Sequence, residues 1–182
     1  SNTNNRYVVY NYVQKIWYYG TLSRTAWLDS GIRDFPLAAT NSNNLVQHEV
    51  GLDDAETGTT AAITASITSA QFDLDDGHKF MLVSRMVPDI TFDGSTADSP
   101  AVSMSLSALQ NSGSGFNSPL SESGNSGGSV TRTATSPVEK FTEQIFLRVR
   151  GRQVSFKVES TAQGVTWQLG SPRIDMRPDG RR

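Results

Sequence analysis

The sequence contains no cysteine, which excludes disulfide bonds and thiolate metal sites within this chain. Charged residues are sparse, at 19% of 182 residues, and the formal net charge is −2. So small a net charge gives no reason to expect non-specific binding to nucleic acid or membranes. No apolar run approaches the roughly 20 residues that a membrane-spanning helix needs, and no long segment repeats with the helical period. The lack of a helix-period segment favours a protein built of β-strands.

Charge is unevenly spread along the chain. The first 100 residues carry six basic and twelve acidic side chains, whereas from Lys140 onward there are nine basic and four acidic ones. We therefore expect an acidic part and a basic end.

Two segments that alternate apolar and polar residues meet at Gly151 and Arg152. Reflection about this pair sets Val149 opposite Val154, Leu147 opposite Phe156 and Ile145 opposite Val158. Glycine at the first position of a two-residue loop suits a type II′ turn. The pattern predicts that residues 142–150 pair with 153–160 in a tight hairpin. A further strand should follow, with Val165, Trp167 and Leu169 on one face.

The first part of the chain is rich in aromatic and β-branched residues. Residues 7–19, YVVYNYVQKIWYY, predict a hairpin that is apolar on both faces and needs cover on both sides. Such an element is typical of a larger sheet, for example a propeller blade. The polar residues 41–44 indicate a joint, so residues 1–44 are interpreted as terminal strands of a larger, propeller-like β domain.

Residues 45–182 are interpreted as an antiparallel β-sandwich domain, which makes the chain all-β. Ile63, Ala65 and Ile67 alternate with polar residues, as do Val102, Met104, Leu106 and Ala108, whereas residues 79–87 are apolar on both faces and predict a buried strand. The Gly- and Ser-rich residues 111–129 predict a flexible loop.

No catalytic, metal or cofactor site is predicted. His48 and Glu49 lack the second histidine of a zinc-peptidase motif, and a histidine hydrogen-bonded at a strand end is the favoured interpretation. Asp73, Asp75 and Asp76 precede Gly77 without the ligand spacing of a calcium loop, so turn chemistry is favoured over a cation site.

The densest basic feature consists of Arg148, Arg150 and Arg152, with Lys157 expected across the hairpin. The favoured interpretation is a solvated polar face or salt bridges to a neighbouring subunit. The alternative is a contact with phosphate or with an acidic partner.

Long stretches of the chain resemble the C-terminal region of the hub or nozzle proteins in the tails of short-tailed bacteriophages, some of which are described as packaged-DNA stabilisation proteins. These are NRYVVYNYVQKIWYYGTLSRTAWLDSGI, LVQHEVGLDD, FDLDDGHKFMLVSRMVPDITFDGS and RVRGRQVSFKVESTAQGVTWQLGSPRIDMRPDGRR. Family members are longer and carry propeller-like domains upstream, so we expect this chain to be their last strands and C-terminal domain.

The resemblance implies a structural protein of the virion tail without enzymatic activity. Its partners would be copies of itself in a hexameric ring, other tail proteins and the double-stranded DNA that the ring first retains and then lets pass. Two other classes stay open: a glycan- or receptor-binding β-sandwich, with residues 111–129 near its binding end, and a depolymerase or peptidase fragment, which would need paired carboxylates.

Overall fold

The computed structural model describes residues 5–109, 117–119, 129–131 and 133–181. The prediction of an all-β fold is confirmed, because the paired strands are antiparallel and the described residues include a single 3-10 turn, Asp75–Gly77, but no α-helix. The chain divides between Thr60 and Ala61 into two compact units, whereas the sequence predicts a boundary after residue 44. The polar residues 41–44 lie at the turn between two paired strands of the first unit.

The N-terminal unit contains a separate hairpin and a small sheet. Its strands are β1 (Arg6–Asn11), β2 (Ile16–Thr21), β3 (Arg24–Leu28), β4 (Leu37–Thr40), β5 (Leu45–Gln47) and β6 (Asp53–Asp54). The predicted hairpin over residues 7–19 is confirmed, since β1 pairs with β2 from Arg6 opposite Thr21 to Asn11 opposite Ile16. Strands β3, β4 and β5 form a three-stranded sheet in that order. The described residues of this unit do not form a four-stranded propeller blade.

The C-terminal unit has two larger sheets. Its strands are β7 (Ala61–Ala62), β8 (Ala65–Thr68), β9 (Phe72–Asp73), β10 (Met81–Val87), β11 (Ile90–Thr91), β12 (Ala101–Leu109), β13 (Asn117–Pro119), β14 (Ser129–Thr131), β15 (Thr133–Glu139), β16 (Ile145–Gly151), β17 (Gln153–Ser160), β18 (Gln168–Leu169) and β19 (Arg173–Pro178). One sheet has the order β16-β10-β19, and the other has the order β15-β12-β17-β8, with β9 also pairing to β17. Two short ladders, β11–β18 and β13–β14, lie outside these two sheets.

A single apolar core lies between these two sheets. The predicted alternation of β12 is confirmed, because Val102, Met104, Leu106 and Ala108 are all buried. They pack in one cluster with the inward residues of β10 and β16 from the other sheet, and Val165, Trp167 and Leu169 pack against that cluster. The predicted strand over residues 165–169 is confirmed only at its end, as β18. Two antiparallel sheets that share one core form a sandwich.

The predicted hairpin of residues 142–150 and 153–160 is wrong. Strand β16 pairs with β10, whereas β17 pairs with β12, β8 and β9, so the chain changes sheets at Arg152. Val149 and Val154 are both buried, because the two strands direct their apolar residues into the same core from opposite sheets. The mirror pattern is thus real, but it reflects two facing sheets and not one ladder.

Gly151 has a role other than the predicted turn. Its φ is not positive, and an added Cβ would lie 2.7 Å from the backbone oxygen of Leu109 and 2.8 Å from the Cβ of Ala108. The amide of Arg152 donates a hydrogen bond to that same oxygen over 2.8 Å. Glycine is needed here because the sheet-crossing chain passes close to the end of β12.

Strand β10 is buried as predicted, for a more specific reason than two apolar faces. Its register with both neighbours shifts between Val83 and Arg85. The irregularity moves the alternation by one residue, so Val83 and Met86 enter the same core although two residues lie between them. By contrast, Ile63 and Ile67 are exposed, so their alternation does not mark a buried face.

The predicted flexible loop at 111–129 lies largely outside the described residues. The described parts are Asn117–Pro119 and Ser129–Thr131, which pair with each other as β13 and β14.

Candidate assembly surface

The hairpin of β1 and β2 presents large apolar side chains on both of its faces. Because side chains alternate along a strand, the register assigns Val8, Tyr10, Trp17 and Tyr19 to one face, here named the aromatic face. Tyr10 and Trp17 are direct cross-strand partners, and their ring centroids lie 4.5 Å apart. The opposite face carries Tyr7, Val9, Ile16 and Tyr18.

The aromatic face is largely open to solvent. Trp17 is 65% exposed, Val8 67% and Tyr19 86%. Tyr10, which packs on Trp17, is 45% exposed, and the residues of the opposite face are 41 to 49% exposed. The expectation that this hairpin needs further cover agrees with these values. A two-stranded hairpin is marginally stable alone, and a contiguous exposed apolar patch usually marks an interaction site.

Gly20, on the opposite face, leaves room for the ring of its cross-strand partner Tyr7. An added Cβ at Gly20 would lie 2.7 Å from two ring atoms of Tyr7, so the Tyr7 ring covers the glycine. The Tyr7 ring therefore covers part of the opposite face within the hairpin itself. Gly20 does not lie on the aromatic face.

The predicted basic site is divided by the fold. Arg148 and Arg150 lie on β16, Arg152 lies at the sheet crossing, and Lys157 lies on β17 in the other sheet. Lys157 therefore does not lie across a hairpin from the three arginines, and its ammonium pairs with Glu159 at 2.7 Å. Arg148 is exposed and has no ion-pair partner among the described residues.

Arg150 and Arg152 are engaged within the chain. Their guanidinium carbons lie 4.2 and 4.7 Å from the centroid of the buried Phe80 ring. Arg150 Nε donates to Asp179 Oδ2 over 2.5 Å. Arg152 donates to the backbone oxygens of Gly77, His78 and Arg181 over 2.7 to 3.1 Å. Contacts of this kind hold the C-terminal segment to the sheet and leave these two groups less available to a partner.

A second polar cluster lies in the N-terminal unit and includes His48. Arg24 Nε donates to His48 Nε2 over 2.9 Å, and Arg24 Nη1 donates to Glu56 Oε2 over 2.8 Å. The preferred interpretation of His48, a histidine hydrogen-bonded at a strand end, is confirmed, because it directly follows β5. Sequence reasoning missed Arg24 and Glu56, since no spacing rule links residues so far apart in the chain.

The acidic turn before β10 uses its side chains locally. Asp73 Oδ2 accepts a hydrogen bond from Gln153 Nε2, and Asp75 pairs with Lys79 at 3.5 Å. Within the described residues, no three histidine or acidic side chains are grouped so that they could hold a metal ion. No helix in that part of the chain is long and apolar enough to cross a membrane.

No protein-family model matches this chain, and the comparison with curated proteins also yields no match.

Proposed function

We propose that this chain is a structural, non-catalytic part of a bacteriophage virion tail that assembles with copies of itself. In this proposal it belongs to a hub or nozzle ring around the channel that retains genomic DNA and later lets it pass. The resemblance of four long sequence stretches to such proteins supports the proposal, and so does the all-β architecture.

The exposed aromatic face carries the proposal. Trp17 and Tyr19 are the kinds of side chain that anchor protein interfaces, where each large aromatic side chain buries about 150–250 Å². Leaving both in water is unfavourable, since burial of apolar area contributes about 25 cal/mol per Å². A subunit interface supplies the cover that the hairpin lacks in a single chain.

The test replaces two side chains of the aromatic face and leaves the backbone hydrogen-bonding groups of β1 and β2 in place. We expect replacement of both Trp17 and Tyr19 by Ser to weaken self-association, measured by sedimentation velocity over a range of protein concentrations. A hot-spot side chain is worth about 2 kcal/mol or more, so each replacement should weaken the association by roughly 30-fold. Replacement of the exposed Phe141 by Ser is a matched control for losing an aromatic side chain elsewhere, and it should have little effect.

The alternative function is a glycan- or receptor-binding module, and the same variants distinguish it. A chain that remains monomeric at all concentrations, yet binds immobilised glycans until Trp17 and Tyr19 are replaced, would favour that alternative. Ring-shaped particles in electron micrographs that disappear in the double variant would support the assembly function.

A further inference from the structure

Arg24, Trp27, His48 and Glu56 form a compact cluster in the N-terminal unit. Arg24 and Trp27 lie on β3, His48 directly follows β5, and Glu56 lies in the turn closed by the Gly58 amide and the Ala55 oxygen. The His48 ring lies 4.6 Å from the Trp27 ring, centroid to centroid, and accepts the Arg24 Nε hydrogen bond. Arg24 therefore links three separate stretches of this unit.

The Arg24 hydrogen bond defines the protonation state of His48. An arginine guanidinium has donors and no acceptor, so His48 Nε2 must present a lone pair and the ring proton must reside on Nδ1. Protonation of Nε2 would place two donors against each other and add a second positive charge beside Arg24. The observed geometry thus requires a neutral imidazole.

The surrounding charges act in opposite directions on His48. Partial burial and the Arg24 charge lower its pKa below the ordinary value of 6.5, against the opposing influence of the carboxylates of Glu49, Glu56 and Asp54. The side chains of Arg24 and Glu56 are 14% and 22% exposed, so their charges are only partly screened by water.

We propose that His48 is a proton-operated latch that holds the chain after β5 to β3 when the ring is neutral and releases it when the ring is protonated. The closed latch consists of the Arg24 hydrogen bond and the Trp27 ring contact, both with residues of β3. The His48 amide also donates to the oxygen of Pro36, just before β4, over 2.8 Å, so its protection reports on the same segment. In the open latch the imidazolium leaves Arg24 and turns toward the nearby carboxylates. This inference does not depend on the proposed assembly function.

The direction of the pH effect follows from the lowered pKa. The stabilisation by neutral His48 is fully present above pH 6.5, the ordinary value for the unfolded chain, and is lost as the pH falls through the lower value of the folded chain. Histidine is the side chain whose ordinary pKa lies between about pH 5 and pH 8, and the chain has two histidines. The latch must therefore be followed by signals specific to His48 and its contacts.

One NMR titration of the whole chain tests the latch. We expect the His48 ring, the Trp27 indole and the hydrogen-exchange protection of the His48 amide to change together, with one midpoint below 6.5. The Arg24→Met variant should shift that midpoint upward, because it removes both the donor and the positive charge. The His48→Gln variant keeps an acceptor that does not titrate, so its Trp27 signal and its residue-48 amide should stay constant over the same range.

Two results would overturn the latch. If Trp27 and the residue-48 amide respond to pH equally in His48→Gln, the carboxylates or another part of the chain cause the change. If the ring titrates without any response of Trp27 or the His48 amide, protonation does not open this contact. The wild-type titration requires no variant, so the second result is decisive even if Arg24→Met fails to fold.

Discussion

Arg152 connects three stretches of the C-terminal unit through one side chain. Its guanidinium donates to the oxygens of Gly77 and His78 before β10 and to the oxygen of Arg181 at the end of the chain. Arg152 itself lies at the sheet crossing, and its guanidinium carbon is 4.7 Å from the centroid of the Phe80 ring. Five donors in a rigid fork allow arginine to satisfy several carbonyl oxygens at once.

We expect Arg152→Met to lower the free energy of unfolding by about 1–3 kcal/mol, because three carbonyl contacts and a cation–π contact are lost together. The measurement is urea unfolding followed by tryptophan fluorescence. Arg148→Met is the matched control on the neighbouring strand, and its exposed side chain predicts a change within about 0.5 kcal/mol. Equal effects of the two replacements would show that the carbonyl contacts of Arg152 contribute nothing.

Gly151→Ala tests the close approach of the sheet crossing to β12. The new methyl group would meet the Leu109 oxygen, a backbone atom that cannot move aside without disturbing the ladder. We expect a loss of about 1–3 kcal/mol in thermal or urea unfolding, as for other overpacked sites. Gly31→Ala, where no atom lies within 4 Å of the added carbon, should be close to neutral.

At the scale of the element, the path of the chain from β16 to β17 can be tested by cross-linking. Ser105 on β12 is the direct partner of Lys157 on β17, whereas a hairpin would place Phe146 opposite Lys157. Facing sheets lie about 10 Å apart, and disulfides need Cα atoms within roughly 7 Å. The chain contains no cysteine, so no native thiol competes with an introduced pair of cysteines.

We therefore expect the Ser105→Cys, Lys157→Cys pair to form a disulfide under mild oxidation and the Phe146→Cys, Lys157→Cys pair to remain reduced. Non-reducing electrophoresis after proteolysis, or intact-mass measurement, reads the result. Both pairs share Lys157→Cys, so a difference between them reports the location of the second cysteine. Efficient disulfide formation by the Phe146→Cys, Lys157→Cys pair would support the hairpin and contradict the placement of β16 and β17 in opposite sheets.

Sequence patterns predicted which residues face the core better than they predicted which strands pair. The alternation of residues 145–149 and 154–158 identifies inward side chains correctly, since any strand with one buried face has this period. A hairpin and a sheet-to-sheet crossing produce the same mirror pattern, and Gly151 is compatible with both. Distinguishing them requires the tertiary contact with Leu109, which no local pattern contains.

For the candidate sites too, local features could be predicted from the sequence and long-range contacts could not. The aromatic composition of residues 7–19 was sufficient to predict a hairpin that needs cover, because a hairpin is a local structure. The contacts of Arg150 with Phe80 and Asp179 could not be predicted, because these partners are distant in sequence. The polar cluster of Arg24, His48 and Glu56 likewise depends on long-range folding.

At the scale of the whole molecule, two types of contact could drive association between copies. The uneven charge of the sequence favours an acidic part that meets a basic end, whereas the aromatic face favours apolar burial. In the folded chain Arg150 and Arg152 are already engaged, which leaves Arg148 as the exposed member of the predicted basic site. If copies of this chain associate as proposed, we therefore expect apolar contact through the aromatic face to contribute more than this basic site.

Salt dependence separates these two types of contact. Exposed charge pairs are screened at about 1 M salt, where the Debye length falls to roughly 3 Å, whereas apolar burial is not weakened by screening. We expect the self-association constant, measured by sedimentation equilibrium, to change little between low and high sodium chloride. Arg148→Glu should also weaken association far less than Trp17→Ser, because a single exposed charge contributes about 1 kcal/mol or less. Association that collapses at high salt and on Arg148→Glu, but survives Trp17→Ser, would assign the interface to the basic end instead of the aromatic face.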